Sequence, residues 1–170
     1  GEPLAPWMRQ DVSLAPLGVI DWHGGPGGHT DFGPVVAAVG ARVREVYDLV
    51  YRRFEEYGID CFVGMFGVGS RSIVMVADLI YNRTDADMTQ RARTLFRTLT
   101  RDAARIGVGI YRAHLDFMDD GAAMYAHNDH ALRRFGERVK DCLDPNGILA
   151  PGKQGIWPRS LRAPRRGGGA

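Results

Sequence analysis

Long apolar runs are missing from this sequence of 170 residues, and none approaches the ~18 residues that a membrane-crossing helix needs. A membrane-spanning role is therefore not expected. An excess of one charge is missing as well: 22 Lys and Arg stand against 20 Asp and Glu, a formal net charge of +2. So mild a balance argues against a nucleic-acid or membrane surface as partner. Cysteine is scarce. Cys61 and Cys142 share no short motif and sit among apolar residues, so both read as reduced, buried core residues of a cytoplasmic protein. The start, Gly1-Glu2-Pro3-Leu4, has no methionine and does not resemble a signal peptide, and it reads as a boundary or the middle of a longer chain. A phosphate-binding Gly-rich loop is absent too, because Gly24–Gly28 lacks the strand–turn–helix setting of one. His127 and His130 flank Asp129, but no further ligand follows at metal-site spacing, so helix capping is the better reading.

What is present is ordinary globular composition, 45% hydrophobic and 25% charged. A chain of this size buries roughly two-thirds of the surface its unfolded form exposes. It is long enough for one domain, or for one domain plus a segment that completes another.

The first third opens with an apolar stretch at Gly18–Trp22, read as a strand. Gly24-Gly25-Pro26-Gly27-Gly28 reads as a loop, and Thr30–Val36 as a short strand. Val43, Val46, Tyr47, Val50, Phe54 and Tyr57 recur at helical spacing up to Gly58, a natural residue past a helix end. Ile59–Phe66 and Ile73–Tyr81 predict a β-hairpin with Arg71 near its turn. Thr84 with Asp87 resembles a capping box opening a helix whose apolar face runs from Met88 to Ile106. A strand at Val108–Arg112 follows. The order strand, helix, strand, strand, helix, strand predicts an α+β, ferredoxin-like domain, two helices covering an antiparallel sheet. Beyond it, Leu115–Ala126 reads as helical. Asp129 caps a last helix carrying Leu132, Phe135, Val139, Cys142 and Leu143, and Asp144-Pro145-Asn146-Gly147 ends it. The basic tail over 159–170 reads as solvated and disordered.

Three stretches carry a family resemblance. Asp144-Pro145-Asn146-Gly147-Ile148-Leu149-Ala150-Pro151-Gly152-Lys153 resembles the closing signature of FAD-linked oxidases. With Gln154-Gly155-Ile156-Trp157-Pro158 the likeness narrows to the phenol-oxidising branch. Gly109-Ile110-Tyr111-Arg112-Ala113-His114 resembles that branch's Tyr-Arg pair, and Gly28-His29-Thr30-Asp31-Phe32-Gly33-Pro34 its flavin-linking loop. On these residues the chain resembles the C-terminal part of the vanillyl-alcohol oxidase and p-cresol methylhydroxylase family.

That resemblance implies FAD-dependent oxidation of para-substituted phenols of the vanillyl, eugenol or 4-alkylphenol type. It implies covalent FAD linked through His29, with His23 as the rival, and O2 as electron acceptor. The alternative acceptor is a cytochrome c subunit; a tyrosine link is expected in that branch, so a histidine leans toward the oxidase. It further implies a homo-oligomer, a dimer or larger. Residues 1–107 would be a cap domain and 108–170 a return into an FAD domain lying upstream. The fragment alone would be inactive, and the active-site base would lie in that upstream part.

The chemistry explains why such residues are needed. A neutral phenol is a poor electron source, whereas a phenolate pushes charge through the ring as hydride leaves, yielding a quinone methide. Arg112 supplies a charge that is not lost at ordinary pH, and Tyr111 a hydroxyl donor. Adjacent residues on a strand point to opposite faces, so the pair belongs at a strand end, or the arginine curls round. Lys153 reads as a flavin contact or a turn lysine. Asp31 stands where the resemblance implies an apolar residue, and so either alters the pocket beside the flavin or is solvated. Met65, with Phe66 and Val68, lines an aromatic pocket or belongs to the sheet core. A ferredoxin-like RNA-binding module is the remaining reading; the strands lack the exposed aromatic platform it would use.

Overall fold

Residues 27–162 are described by the computed structural model. They form an α+β unit with one antiparallel sheet and four helices. The two β-branched, apolar stretches become strands β3 (Cys61–Gly67) and β4 (Ser72–Asn82), joined as the expected hairpin. β4 is the hub. β3 lies along one side of it, and β1 (Gly27–Phe32) and β2 (Val35–Ala37) share the other. The glycine run is therefore not all loop, since Gly27 and Gly28 are strand residues. Gly28 is useful there: a Cβ on it would stand 2.8 Å from the Tyr81 ring.

The strand expected over Thr30–Val36 is broken instead at Gly33-Pro34. Pro34 has no N–H to give a ladder; its carbonyl still accepts from Met75 N at 3.0 Å. Beside this break runs the segment expected as a strand over Val108–Arg112. It makes only an isolated bridge, Pro34 to Ile110. Two bonds hold it, Val35 N to Gly109 O at 2.9 Å and Tyr111 N to Gly33 O at 3.1 Å. The chain bends at Tyr111, and so the ladder stops. The stretch Gly18–Trp22 and His23 lie outside the described residues.

Helix α1 (Gly40–Tyr57) ends as its sequence requires, with Gly58 left-handed at φ 60°. Its buried Val46, Val50 and Phe54 meet Leu95, Phe96 and Leu99 of helix α2 (Ala86–Arg105) over the sheet. Burying each such side chain contributes roughly 1.5–3 kcal/mol. The cap of α2 is Asp85, which accepts from Met88 N at 2.9 Å. Thr84 does not cap; it bonds Asn82 Oδ1 by both its amide and its hydroxyl. Phe96 links the layers, edge-on to Phe32 at 5.9 Å and stacked on Phe117 at 4.1 Å.

The C-terminal third departs most from expectation. Leu115–Ala126 is not one helix: a 3₁₀ turn at Leu115–Phe117 precedes helix α3 (Met118–Ala123). Helix α4 (His127–Leu143) begins with Asn128, Asp129 and His130 all left-handed. Asp129 therefore cannot act as the expected cap, and its carboxylate takes Arg134 at 2.7 Å instead. Asp144 closes α4 as a buried carboxylate, accepting from Ile148 N and Leu149 N and paired with Lys140 Nζ at 2.6 Å. The Lys140 ammonium beside it holds its carboxyl below the usual range. Arg159–Leu161 form a 3₁₀ turn and Arg162 pairs with Glu137 and Asp141, so residues 159–162 are structured rather than solvated. The cysteines are free, but Cys142 is exposed and Cys61 only partly buried, contrary to the core role expected of both. Among the described residues no helix is long and apolar enough to cross a membrane.

Candidate functional site

Strand alternation decides which β1 residues reach the site. Thr30 and Phe32 point into the core, while His29 and Asp31 share the opposite face. Across the ladder, Asp31 stands directly opposite Asp78 of β4. Two carboxylates in such register repel unless they share a proton or a cation. Here both occur. Burial, then a hydrogen bond to Asp31 and its charge, push the Asp78 carboxyl up to about 7, so it carries a proton that Asp31 can accept. Asp31 Oδ2 also takes Arg112 Nη2 at 3.1 Å.

Tyr111 and Arg112 come together despite being neighbours in sequence. The bend at Tyr111 lets the arginine turn back, its Cζ 5.3 Å from the centre of the Tyr111 ring. Gly33 makes room for that ring: a Cβ there would lie 2.5 Å from Tyr111 Cε1. Tyr111 thus rests on the same strand break that carries Asp31.

The closing segment completes the walls. Trp157 Nε1 donates to Asp119 Oδ1 at 2.9 Å, and Gly155 sits so close to Ala122 that a Cβ would be 2.4 Å away. This packing brings Lys153 and Gln154 to a cavity of ≈ 430 Å³ whose other walls include His29, Asp31, Arg112 and His114. His114 Nδ1 is occupied in accepting from Asp116 N. Four of the residues expected from the sequence, His29, Asp31, Arg112 and Lys153, therefore converge, with Tyr111 alongside.

Met65 does not join them. It lies on β3, on the far side of β4 from His29, and lines a separate hollow with Val43, Arg44, Tyr47 and Ile73. Asp78 was missed by sequence reasoning. Its signal was a lone carboxylate inside the apolar run Ile73–Tyr81, but only the register reveals its partner.

Residues 7–154 match the family of FAD linked oxidases, C-terminal domain. Over 144 residues the chain is 34% identical to the 4-cresol dehydrogenase [hydroxylating] flavoprotein subunit of Pseudomonas putida, covering 85% of this chain and 27% of that protein. Among solved structures, 4-ethylphenol oxidase from Gulosibacter chungangensis in its isoeugenol complex is similar at TM-score 0.83 and 35% identity. That match covers 94% of this chain and 33% of the other. p-Cresol methylhydroxylase with substrate bound is similar at TM-score 0.72 and 32% identity, over 76% of this chain and 24% of that one. The chain spans about a third, or less, of the relatives it matches.

Proposed function

Because the chain belongs to the FAD-linked oxidases, matching their C-terminal domain, we propose that it forms the phenol-holding part of an enzyme that oxidises para-alkylphenols. The observation that carries this reading is the cluster of Tyr111, Arg112, Asp31 and Asp78 at the strand break. The names of the relatives, a 4-cresol dehydrogenase and a 4-ethylphenol oxidase, support the substrate class. Residues 1–107 belong to a cap domain and 108–170 to an FAD domain whose larger part precedes them. A ferredoxin-like description of the cap is supported by the strand order β1 and β2, then β4, then β3, with Ile110 of the following segment bridged to Pro34 at the outer edge.

The residues fit FAD. Arg112, Lys153 and the exposed His29 converge on one open cavity, a donor set suited to an electron-rich ring edge and its oxygens. His29 would be the covalent link, and Arg112 and Lys153 would hold the ring. Bound FAD supplies the hydride acceptor. The chain's own groups prepare the phenol. The Tyr111 hydroxyl donates to the phenol oxygen, and the Arg112 charge favours the phenolate, from which hydride loss at the benzylic carbon gives a quinone methide. Asp31 orients Arg112, and Asp78, holding its proton near neutrality, limits how much charge Asp31 draws from the arginine.

O2 is the proposed final acceptor. A second reading, electron transfer to a cytochrome c subunit, is favoured by the Pseudomonas putida relative being named a flavoprotein subunit. A homo-oligomer and a cytoplasmic location belong to the same proposal. One experiment separates the readings: the full-length protein is reduced with 4-ethylphenol without oxygen, then given air or oxidised cytochrome c. Rapid reoxidation in air alone supports the oxidase. No reduction by any para-alkylphenol sinks the phenol assignment. The denatured mass of wild type and His29→Ala tests the link, since FAD retained covalently by the variant removes His29 from the role.

A further inference from the structure

Asp31 and Asp78 leave an uneven count of charges beside the cavity. They stand directly opposite on β1 and β4, where paired side chains lie roughly 5 Å apart at Cβ. The other neighbours of Asp78 are apolar: Phe62 faces it from β3, and Val76 and Ile80 flank it on the same face of its own strand. Among the described residues Arg112 is the one cation paired with either acid, and its bond goes to Asp31. Two acids and one arginine balance when the acids hold a single proton between them. The other titratable groups facing the pair are His29, two residues along β1 on the same face, and His114 and Lys153 across the cavity.

The members of the cluster differ in freedom. The Asp31 side chain is 21% exposed and that of Arg112 61%, so the sheet fixes the acids while the guanidinium has room to lean toward them or into the cavity. Burial, then the hydrogen bond to Asp31 and its charge, push the Asp78 carboxyl up to about 7. The shared proton is therefore lost close to neutrality. Once it leaves, the pair is doubly negative and draws the arginine back.

We propose that Asp31 and Asp78 work as one acid whose single proton decides how much of the Arg112 charge is offered to an anion in the cavity. Asp78 is thus a positioning residue, acting on Arg112 through Asp31. The inference deepens the proposed function and rests on its reading of Arg112 as the partner of a phenolate. It runs against the substrate's own tendency. A phenol ionises more as pH rises, while the site grips the anion less.

The probe is pentafluorophenol, an anion throughout pH 6.5–9, titrated calorimetrically into the full-length protein. Wild-type affinity should fall about tenfold as pH rises through this range, the scale of one charge added a few ångströms away. Asp78→Asn has no such proton to lose, so its affinity should stay level. The wild type supplies a second reading that needs no variant. Because bound anion favours the protonated pair, binding at pH 8 should take up protons, seen as a binding enthalpy that changes with the ionisation enthalpy of the buffer. A fall that persists in Asp78→Asn would belong to His29, His114 or Lys153 and overturn the proposal. So would a wild-type affinity independent of pH, or binding at pH 8 without proton uptake. Absence of binding at every pH is a different failure: it would sink the phenolate role of Arg112, and the proposal with it.

Discussion

Arg112 pairs with the Asp31 carboxylate at 3.1 Å, and on the proposed function it would also serve a phenolate that arrives with substrate. Its contribution should therefore be larger in the transition state than in the bound substrate. Arg112→Lys should bind phenols yet turn over more slowly, and Arg112→Ala should lose about 10²-fold in kcat, the scale of one charge-stabilising donor. A rise in KM with unchanged kcat in steady-state assays would mean a role in binding alone. Asp78 makes a different demand. Its folded carboxyl titrates at about 7, above the usual carboxylate range near 4. Between those pH values the folded chain keeps a proton that the unfolded chain has released, so stability falls as pH rises through the window and levels off above it. Asp78→Asn should remove that slope, leaving the variant the more stable at pH 8 relative to its behaviour at pH 4. Thermal melts of both proteins across pH 4–8 check this, and parallel curves would show that Asp78 is ionised throughout.

Regular elements with strong periodicity were legible in the sequence. The α1 face from Val43 to Tyr57, the stop at Gly58, the β3–β4 hairpin and the α2 face all form from local patterns that tertiary packing reinforces. What was not legible depends on partners distant in sequence. Pro34 splits a strand because β4 lies beside it, and Val108–Arg112 fails as a strand because that split strand offers it so little ladder. The cap of α2 was misplaced by one residue: Thr84 donates its amide and hydroxyl to Asn82 Oδ1, and Asp85 is the side chain that accepts from the helix, at Met88 N. That correction is testable. Asp85→Ala should lower stability by about 1 kcal/mol, the ordinary worth of a side-chain cap, while Thr84→Ala should have less effect on α2 itself. Urea denaturation of both variants distinguishes them, and equal losses would return the cap to Thr84. The site was half legible: His29, Asp31, Tyr111, Arg112 and Lys153 converge, but the hollow holding Met65 is elsewhere.

Across the whole chain the core sits between the sheet and helices α1 and α2, while α4 turns an apolar face outward. Leu132, Phe135 and Leu143, with Ile148 and Leu149 beyond, are all well exposed. Ile156 and Trp157 differ from these and keep partners within the chain: Ile156 against Gly136, Trp157 on Gly152 and Asp119. So many exposed apolar side chains on one helix and the segment after it call for a cover. The isolated chain should bind a hydrophobic dye and exchange amide protons faster over α4 than over β4. In the full-length protein the dye signal should be lost and α4 become protected. Equal protection of α4 in both would argue that the last third is a self-sufficient part of this unit.

The position of β4 as hub has a kinetic consequence. β3 is close by in the chain, but Phe32 pairs with Ala77 and Gly27 with Asn82, 45 and 55 residues away (77 minus 32; 82 minus 27). Closing that long loop is entropically slower than forming the hairpin, so β1 joins after β3 and β4 are already paired. The juxtaposition of Asp31 and Asp78 is then among the last events of folding and the first to be undone. Substitutions in the hairpin should slow refolding, whereas those along β1 should chiefly hasten unfolding, so that within the sheet the pairing of Asp31 with Asp78 opens before the hairpin does.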